Sequence, residues 1–324
     1  MPPQMNPQIS ETLQPRPEDY AYDLDQALGA VVSVTTIVPE DAFTADILGT
    51  ERAGSGVLIR SDGVVLTIGY LVTEAETVWL GLSDGRTVPG HVLGYDQTTG
   101  FGLVQALARV DLPALKIGQS SSVEPGASVV LAGAGGRSGA VAARVIGKQE
   151  FAGYWEYLLD EAIFTAPAHP QWGGAALIGP AGDLIGIGSL RLEQSSEGED
   201  EHLNMIVPID LLPPILEDLL TVGRPNRPPR PWLGVYAVEI DDNVVVAGTA
   251  TGAPAERAGL QNGDVILAVD GEEVTDLAGF FRHVWAMGAA GTEVPLTIFQ
   301  EGRTEDIRVT SGDRSDFLKS PSLH

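Results

Sequence analysis

A chain of 324 residues is expected to form two or three domains, because a single hydrophobic core stops growing at about 250–300 residues. Its formal net charge of −25 argues against nucleic-acid binding and against anionic membrane surfaces, since phosphate contacts need clustered lysine and arginine. The absence of cysteine excludes disulfides, thiol nucleophiles and cysteine-ligated zinc. We expect neither a cofactor nor a metal.

The first 20 residues have neither the basic start nor the apolar core of a secretory signal. We therefore predict a flexible tail over residues 1–20 and a cytoplasmic protein, which would be periplasmic only if another route exported it. No uncharged apolar run reaches about 18 residues, so we predict no membrane-spanning segment.

Short apolar runs separated by turn signals dominate the next two hundred or so residues. Runs of about four to eight residues rich in Val, Ile and Leu, punctuated by turns such as SDG, are typical of an antiparallel barrel or sandwich. We predict a first β-barrel over residues 21–112 and a second over residues 113–223. The second ends in a helix within the segment DLLPPILEDLLTVG.

A proline-rich basic stretch, RPNRPPRP, predicts an extended linker over residues 224–230. Two strands, a short helix, paired strands, a longer helix and a closing hairpin follow over residues 231–314, which is the pattern of a small α+β domain. We predict a second flexible tail over residues 315–324.

Several segments carry a specific resemblance. The barrels contain GSGVLIRSDGVVLT, LSDGRTVPGHVLGYD, GDLIGIGS and IVPID, and the last domain contains GAPAERAGLQNGDVILAVDGEEV. These segments resemble the HtrA (Deg) family of serine proteases. The resemblance implies a mainly β fold in which a trypsin-like double β-barrel is followed by a small α+β PDZ domain.

The resemblance also locates the three positions of the catalytic triad. The histidine position holds Tyr70, the aspartate position holds Gly100, and the segment HPQWGGAAL aligns the nucleophile with Gly173. A phenol with a pKa near ~10 is no base at neutral pH, and glycine has no side chain that could attack a substrate. We therefore predict a pseudoprotease rather than an enzyme.

The loop that would form the oxyanion hole is altered as well. Gln171 and Trp172 stand where the family has glycine and asparagine. A Cβ at position 171 penalises the positive φ that glycine permits, and we expect Trp172 to occupy the space of a substrate.

A rearranged site is the alternative. His169 lies in the same loop and could pair with Ser189 or Ser138, but a triad needs matched geometry, and we favour a surface histidine. A metal site from His169 and His202 lacks any known ligand spacing.

Two further segments invite a functional interpretation. The run LAGAGGRSGAV lacks the third glycine of a dinucleotide-binding motif, so we interpret it as a hairpin loop. The acidic run EQSSEGEDEH at residues 193–202 is interpreted as a solvated loop, with a docking site for a basic partner kept open as the alternative.

The PDZ resemblance identifies a peptide-binding site. The segment PWLGV would present the backbone amides of Leu233, Gly234 and Val235 to a terminal carboxylate, while the peptide adds a strand. The helix supplies candidates for the pocket of the last apolar side chain, with membership of the core as the competing interpretation. These candidates are Phe280, Phe281 and Val284.

Together these patterns predict a non-catalytic scaffold, chaperone-like protein or accessory subunit that binds protein or peptide C-termini through the PDZ domain. The alternatives are an active serine-type hydrolase with a rearranged site and a structural subunit of a larger enzyme complex. The resemblance further implies a trimer formed through N-terminal aromatic residues, for which Tyr20 and Tyr22 are the candidates.

Overall fold

The computed structural model describes residues 9–196 and 199–319, which form two compact units. Within the described residues, the first unit contains residues 9–149, 161–226 and residue 319. The second contains residues 150–160 and 227–318. A short piece of the predicted second barrel thus belongs to the same unit as the last domain.

The first unit begins with a closed barrel of six antiparallel strands in the order β1-β2-β3-β6-β5-β4. Its strands are β1 (Val31–Ile37), β2 (Glu51–Leu58), β3 (Val64–Ile68), β4 (Thr77–Gly81), β5 (Thr87–Tyr95) and β6 (Phe101–Ala106). The SDG segment turns the chain from β2 into β3, and it requires glycine because Gly63 has φ 93°. All five residues of β3 are buried, so the turn that follows this strand has a fixed base.

A second closed barrel follows in the order β10-β11-β12-β9-β8-β7. Its strands are β7 (Ser128–Ala132), β8 (Ala140–Gly153), β9 (Tyr157–Ala166), β10 (Ala176–Ile178), β11 (Leu184–Ser196) and β12 (Glu199–Pro208). The two barrels and the α+β domain confirm the predicted fold class.

Short helices connect these strands. The α-helices are α1 (Leu24–Gly29), α2 (Ala45–Leu48), α3 (Gly69–Val72), α4 (Pro213–Thr221), α5 (Pro254–Arg257) and α6 (Leu277–Ala286). Single 3₁₀ turns lie at Pro17–Asp19, Ser120–Ser122, Gly136–Gly139, Ile209–Leu211 and Arg314–Phe317. Helix α4 is the helix predicted at the end of the second barrel, and its two prolines lie in its first turn, where no intrahelical donor is needed.

In the second unit a sheet in the order β13-β14-β15-β17-β18 packs against helix α6, and β16 pairs with β15. Its strands are β13 (Val235–Ile240), β14 (Asn243–Thr249), β15 (Val265–Val269), β16 (Glu272–Glu273), β17 (Glu293–Gln300) and β18 (Arg303–Thr310). Helix α6 begins at Asp276, whose side chain accepts a hydrogen bond from the amide of Gly279.

Both predicted tails are shorter than the sequence suggested. Ile9 is buried in the core cluster of the second barrel, and the carbonyl of Leu13 accepts a hydrogen bond from the amide of Ala142, so residues 9–20 are not a free tail. At the other end, Phe317 packs on Trp232 with a centroid distance of 4.8 Å, and the backbone amide of Lys319 donates to Glu74 at 2.9 Å. Residues 1–8 and 320–324 lie outside the described residues.

The acidic run is also not a loop over most of its length. Strands β11 and β12 pair through it, with Glu193 opposite His202 and Ser196 opposite Glu199. It is therefore the tip of a long antiparallel hairpin, in which backbone pairing holds the chain extended despite its charge. Residues 197 and 198 lie outside the described residues.

Candidate functional site

The turn that carries Tyr70, helix α3, is clamped by a buried arginine. The guanidinium of Arg52 donates to the carbonyl oxygens of Tyr70 at 2.8 Å and Thr73 at 3.0 Å, and to the hydroxyl of Thr44 at 2.7 Å. Burial lowers the pKa of Arg52, and the charge of Glu74 opposes this effect. Arginine remains charged in spite of such burial, so these bonds are charge-assisted and fix the backbone at position 70.

The negative charge of the buried Glu74 stabilises the buried charge of Arg52. Burial on its own would raise the pKa of Glu74, but hydrogen bonds from the amide of Lys319 and from the hydroxyl and amide of Thr44 lower the pKa below its ordinary value. Neither Arg52 nor Glu74 stands out in the sequence. The two are linked through the hydroxyl of Thr44, which accepts a hydrogen bond from Arg52 and donates one to Glu74, and periodicity does not reveal such a link.

The side chain of Tyr70 lies where a nucleophile at position 173 would extend. Its hydroxyl donates to the carbonyl oxygen of Ser189 at 2.9 Å. A Cβ placed on Gly173 would stand 2.7 Å from that hydroxyl oxygen, which is closer than real Cβ contacts. Burial raises the pKa of Tyr70 well above its ordinary value, and a hydrogen bond involving Trp172 only partly opposes this. At neutral pH Tyr70 is therefore a neutral hydrogen-bond donor and not a base.

The loop around Gly173 is held by backbone hydrogen bonds on both sides. The amide of Ser55 donates to the carbonyl of Gly173 at 2.8 Å, and the amide of Gly174 donates to the carbonyl of Gly188 at 2.9 Å. Gly174 has φ 75°, and a Cβ there would collide with the carbonyl oxygen of Ser55. The loop therefore cannot shift easily to make room for a side chain at position 173.

Gly100 lies beside the same turn. Its carbonyl accepts a hydrogen bond of 2.6 Å from the amide of Gly69, the residue before Tyr70. The structure thus brings positions 70, 100 and 173 together, as the resemblance implies. Gly100 has φ 81°, a conformation in which an aspartate would be strained.

His169 is buried and not at the surface, which corrects the sequence interpretation. Its Nδ1 accepts a hydrogen bond of 2.9 Å from the amide of Gln171, so the ring is neutral and its proton lies on Nε2, which donates to the carbonyl of Gly139 at 2.9 Å. Burial lowers the pKa of His169, which keeps the ring neutral, although the bonds to Gly139 and Gln171 oppose this. Both nitrogens are occupied by backbone groups.

These contacts bear on both rearranged-site candidates and on the oxyanion hole. The hydroxyl of Ser138 donates to the carbonyl of Gly135, and Ser189 contributes its carbonyl to Tyr70. The amide of Gln171, which stands at an oxyanion-hole position in the resemblance, points at His169 instead of at a substrate. A donor already paired in this way is not preorganised for an oxyanion.

The predicted peptide site in the second unit also has its donors occupied. The amides of Leu233, Gly234 and Val235 all donate to the carboxylate of Glu156, at 3.1, 2.6 and 3.0 Å. The three amides therefore converge on one carboxylate, which belongs to the chain itself. Burial raises the pKa of Glu156 to about 7, against the opposing effect of the amides of Val235, Leu233 and Gly234 and of Arg314.

The predicted apolar wall is buried. Phe280, Phe281 and Val284 on helix α6 belong to one core cluster of the second unit, and that cluster includes Leu158, which follows Glu156 by two residues. The sequence analysis did not identify Glu156 or Leu158. The one available signal was a glutamate enclosed by aromatic residues in the segment YWEY.

The remaining predicted site residues lie elsewhere. The rings of Tyr20 and Tyr22 are 5.4 Å apart, and Tyr22 packs against Gly182 of the same chain, so trimer formation through them stays a prediction. Among the described residues, no cluster of three or more His, Asp or Glu side chains could hold a metal ion. No helix within the described ranges is long and apolar enough to span a membrane.

Comparison with known proteins supports the two-part organisation. The family model of the trypsin-like peptidase domain matches residues 54–187, and that of the PDZ domain matches residues 231–310. The chain is 26% identical over 275 residues to a DegP-like periplasmic serine endoprotease of Hahella chejuensis, covering 81% of this chain and 57% of the relative. It is 26% identical over 303 residues to the serine protease Do-like HtrA of Lactobacillus helveticus, covering 81% of this chain and 69% of that protein.

Solved structures agree in fold. The HtrA-type protease AlgW with a decapeptide superposes with a TM-score of 0.55 at 22% identity, covering 92% of this chain and 98% of that one. The serine endoprotease from Yersinia pestis gives a TM-score of 0.51 at 22% identity, covering 90% and 98%. The chain spans a little over half the length of the first DegP-like relatives. In domain content and fold the chain is similar to the HtrA/DegP proteases: a trypsin-like peptidase domain is followed by a C-terminal PDZ domain.

Proposed function

We propose that this chain is a non-catalytic member of the HtrA/DegP family that acts by binding protein or peptide segments, as a scaffold, chaperone-like protein or accessory subunit. All three triad positions lack the required group, and the PDZ domain supplies the binding site. Because a fold does not carry an activity without its site, the site residues take precedence over the names of the relatives.

The observation that carries this proposal is the packing of Tyr70 against Gly173. The space that a nucleophile would need is filled by the neutral phenol of Tyr70, whose hydroxyl already donates a hydrogen bond to the carbonyl of Ser189. A nucleophilic mechanism needs an attacking group, a base and an oriented oxyanion site, and Tyr70, Gly173 and Gln171 supply none of them.

The contacts of His169 argue against a rearranged hydrolase. It would need His169 to accept a proton from a serine, but both ring nitrogens are engaged by backbone groups. A structural subunit of a larger enzyme complex remains the second candidate. The acidic hairpin, whose charge would attract a basic partner, is the feature that favours it.

The first prediction concerns proteolysis. A homogeneous sample of the full chain should cleave unfolded casein no faster than buffer, and Gly173→Ser alone should restore nothing because no base is present to activate the new hydroxyl. Release of acid-soluble peptide is the measurement, with an HtrA-type protease assayed in parallel. Cleavage that persists through purification and is lost in the His169→Gln variant would instead establish the rearranged hydrolase.

The second prediction concerns the filled site itself. Gly173→Ala should lower the free energy of unfolding by about 1–3 kcal/mol, because the added Cβ overpacks the site against the Tyr70 hydroxyl. In a Tyr70→Phe background the same change should cost less, by a coupling of about 1 kcal/mol or more. Urea denaturation of the two single variants and the double variant measures this coupling.

Gly147→Ala is the matched control for this cycle, because a Cβ at that strand position would meet no atom within 4 Å. It should change stability by less than about 0.5 kcal/mol. Strictly additive costs for positions 70 and 173 would mean that the two residues do not share this space.

A further inference from the structure

We propose that residues 150–160 are a tethered ligand of the PDZ groove, so that an external peptide with a free C-terminal carboxylate binds only by displacing Glu156. This inference rests on the peptide binding proposed above and adds its regulation. The tethered segment lies in the second unit with residues 227–318, and it consists of the end of β8, the turn after it and the start of β9.

The amides at the start of β13 recognise a negative charge. Three consecutive amides, from Leu233 to Val235, converge on a single carboxylate, which is the chemistry that reads the terminal carboxylate of a peptide. The Glu156 side chain supplies the same group from within the chain. Its carboxylate and a terminal carboxylate cannot occupy these donors at the same time.

Backbone pairing with β13 follows the pattern of strand addition. The amide of Val235 donates to the Glu156 carboxylate, and the amide of Ala237, two residues along β13, donates to the carbonyl of Tyr154 at 3.0 Å. The donors follow the chain direction along β13, from Val235 to Ala237, while their acceptors run in the opposite direction along the tethered segment, from Glu156 to Tyr154. This is the antiparallel arrangement in which an added peptide strand binds a sheet edge.

An apolar side chain of the tethered segment is also buried. Leu158 is buried in the cluster that contains Phe280, Phe281 and Val284, the residues that the sequence nominated for a peptide's last apolar side chain. The tethered segment thus supplies a carboxylate, a paired backbone and an apolar side chain. These three features are what a C-terminal peptide would present.

Glu156 adopts a conformation that is unfavourable in itself, which indicates that the groove holds the tethered segment in place. Glu156 has φ 59°, in the left-handed region that non-glycine residues rarely adopt, and its carboxylate is buried. Each of these two features costs free energy, so contacts with the groove must stabilise the docked conformation of the segment. Both ends of the segment are tied to the same residue of helix α6, since Arg282 pairs with Asp160 at 2.6 Å and with Glu150.

Tethering gives the segment an advantage over a free peptide. A covalently attached competitor acts at a high effective concentration, and the apparent dissociation constant of an external ligand rises as the open fraction falls. The wild-type chain should therefore bind C-terminal peptides weakly. Removing the internal carboxylate should uncover the affinity.

Glu156→Gly is the variant that tests this, because glycine suits φ 59° and preserves the turn while removing the carboxylate. The probe is a fluorescein-labelled hexapeptide ending in valine, compared with its C-terminal amide by fluorescence anisotropy on the full chain. We expect the variant to bind the acid form at least tenfold more tightly than wild type and to prefer it to the amide. Glu301→Gly is the control, since Glu301 is an exposed hairpin residue with φ 48°, and it should behave as wild type.

Equal affinity of wild type and the Glu156→Gly variant for the acid form would overturn the tethered-ligand proposal. If neither protein prefers the acid to the amide, peptide binding by this groove fails, and hydrogen exchange decides on the tethered ligand separately. Amides 233–235 should exchange at least tenfold faster in the Glu156→Gly variant than in wild type or in the Glu301→Gly control. Unchanged exchange would mean that Glu156 does not occupy these three amides.

The raised pKa of Glu156 gives a further prediction about pH. The docked carboxyl has a pKa of about 7 and a displaced one has its ordinary value of 4.5, so docking takes up a proton between these values. Docking should therefore strengthen as the pH falls from 7 towards 4.5 and be weakest above 7. The charge of Arg314 also faces Glu156 and opposes the rise of its pKa, and Tyr236, whose pKa is raised by burial, stays protonated over this range.

Exchange of amides 233–235, corrected for the intrinsic pH dependence of exchange, measures this effect. In wild type the corrected rate should be on the order of tenfold higher at pH 8 than at pH 5.5. The Glu156→Gln variant, which keeps the shape but cannot titrate, should show no such difference. A wild-type rate that is higher at the lower pH would contradict the assigned direction.

Discussion

The contact between the hydroxyl of Tyr70 and Gly173 is the interaction on which the proposed loss of catalysis depends. The hydroxyl lies 2.7 Å from the place that a Cβ at position 173 would take, and it donates a hydrogen bond to a backbone carbonyl. Arg52 fixes the turn that carries it, and Ser55 and Gly188 fix the loop that faces it. We therefore propose that the trypsin-like fold is retained here without a working reactive centre.

The ligand-binding amides of the PDZ domain are also occupied. Its ligand groove is intact in backbone geometry, with three amides aimed at one carboxylate, yet the carboxylate comes from Glu156 of the same chain. The barrel site is filled by the side chain of Tyr70, whose hydroxyl donates a hydrogen bond to the carbonyl of Ser189. In our proposal the groove is occupied by a segment that an external peptide displaces, so regulated binding is the activity that we propose for this chain.

The sequence predicted the architecture because runs of Val, Ile and Leu between turn residues have a direct physical meaning, and it located the amides of the PDZ loop through a local motif. It did not predict the partner of those amides, since Glu156 lies 77 residues before Leu233. His169 was misassigned because its burial depends on Gly139, 30 residues away. Ile9 was assigned to a tail because a single apolar residue in a polar segment carries no periodic signal.

Reaction with a fluorophosphonate, followed by the intact mass of the full chain, tests the central claim most directly, because the reagent needs an activated nucleophile and an oxyanion site but no particular substrate. An HtrA-type protease labelled in parallel establishes that the reagent is active. We predict an unchanged mass for this chain after prolonged incubation. A stoichiometric adduct that forms on the folded chain and not after denaturation would show that a working nucleophile exists, and would contradict the account.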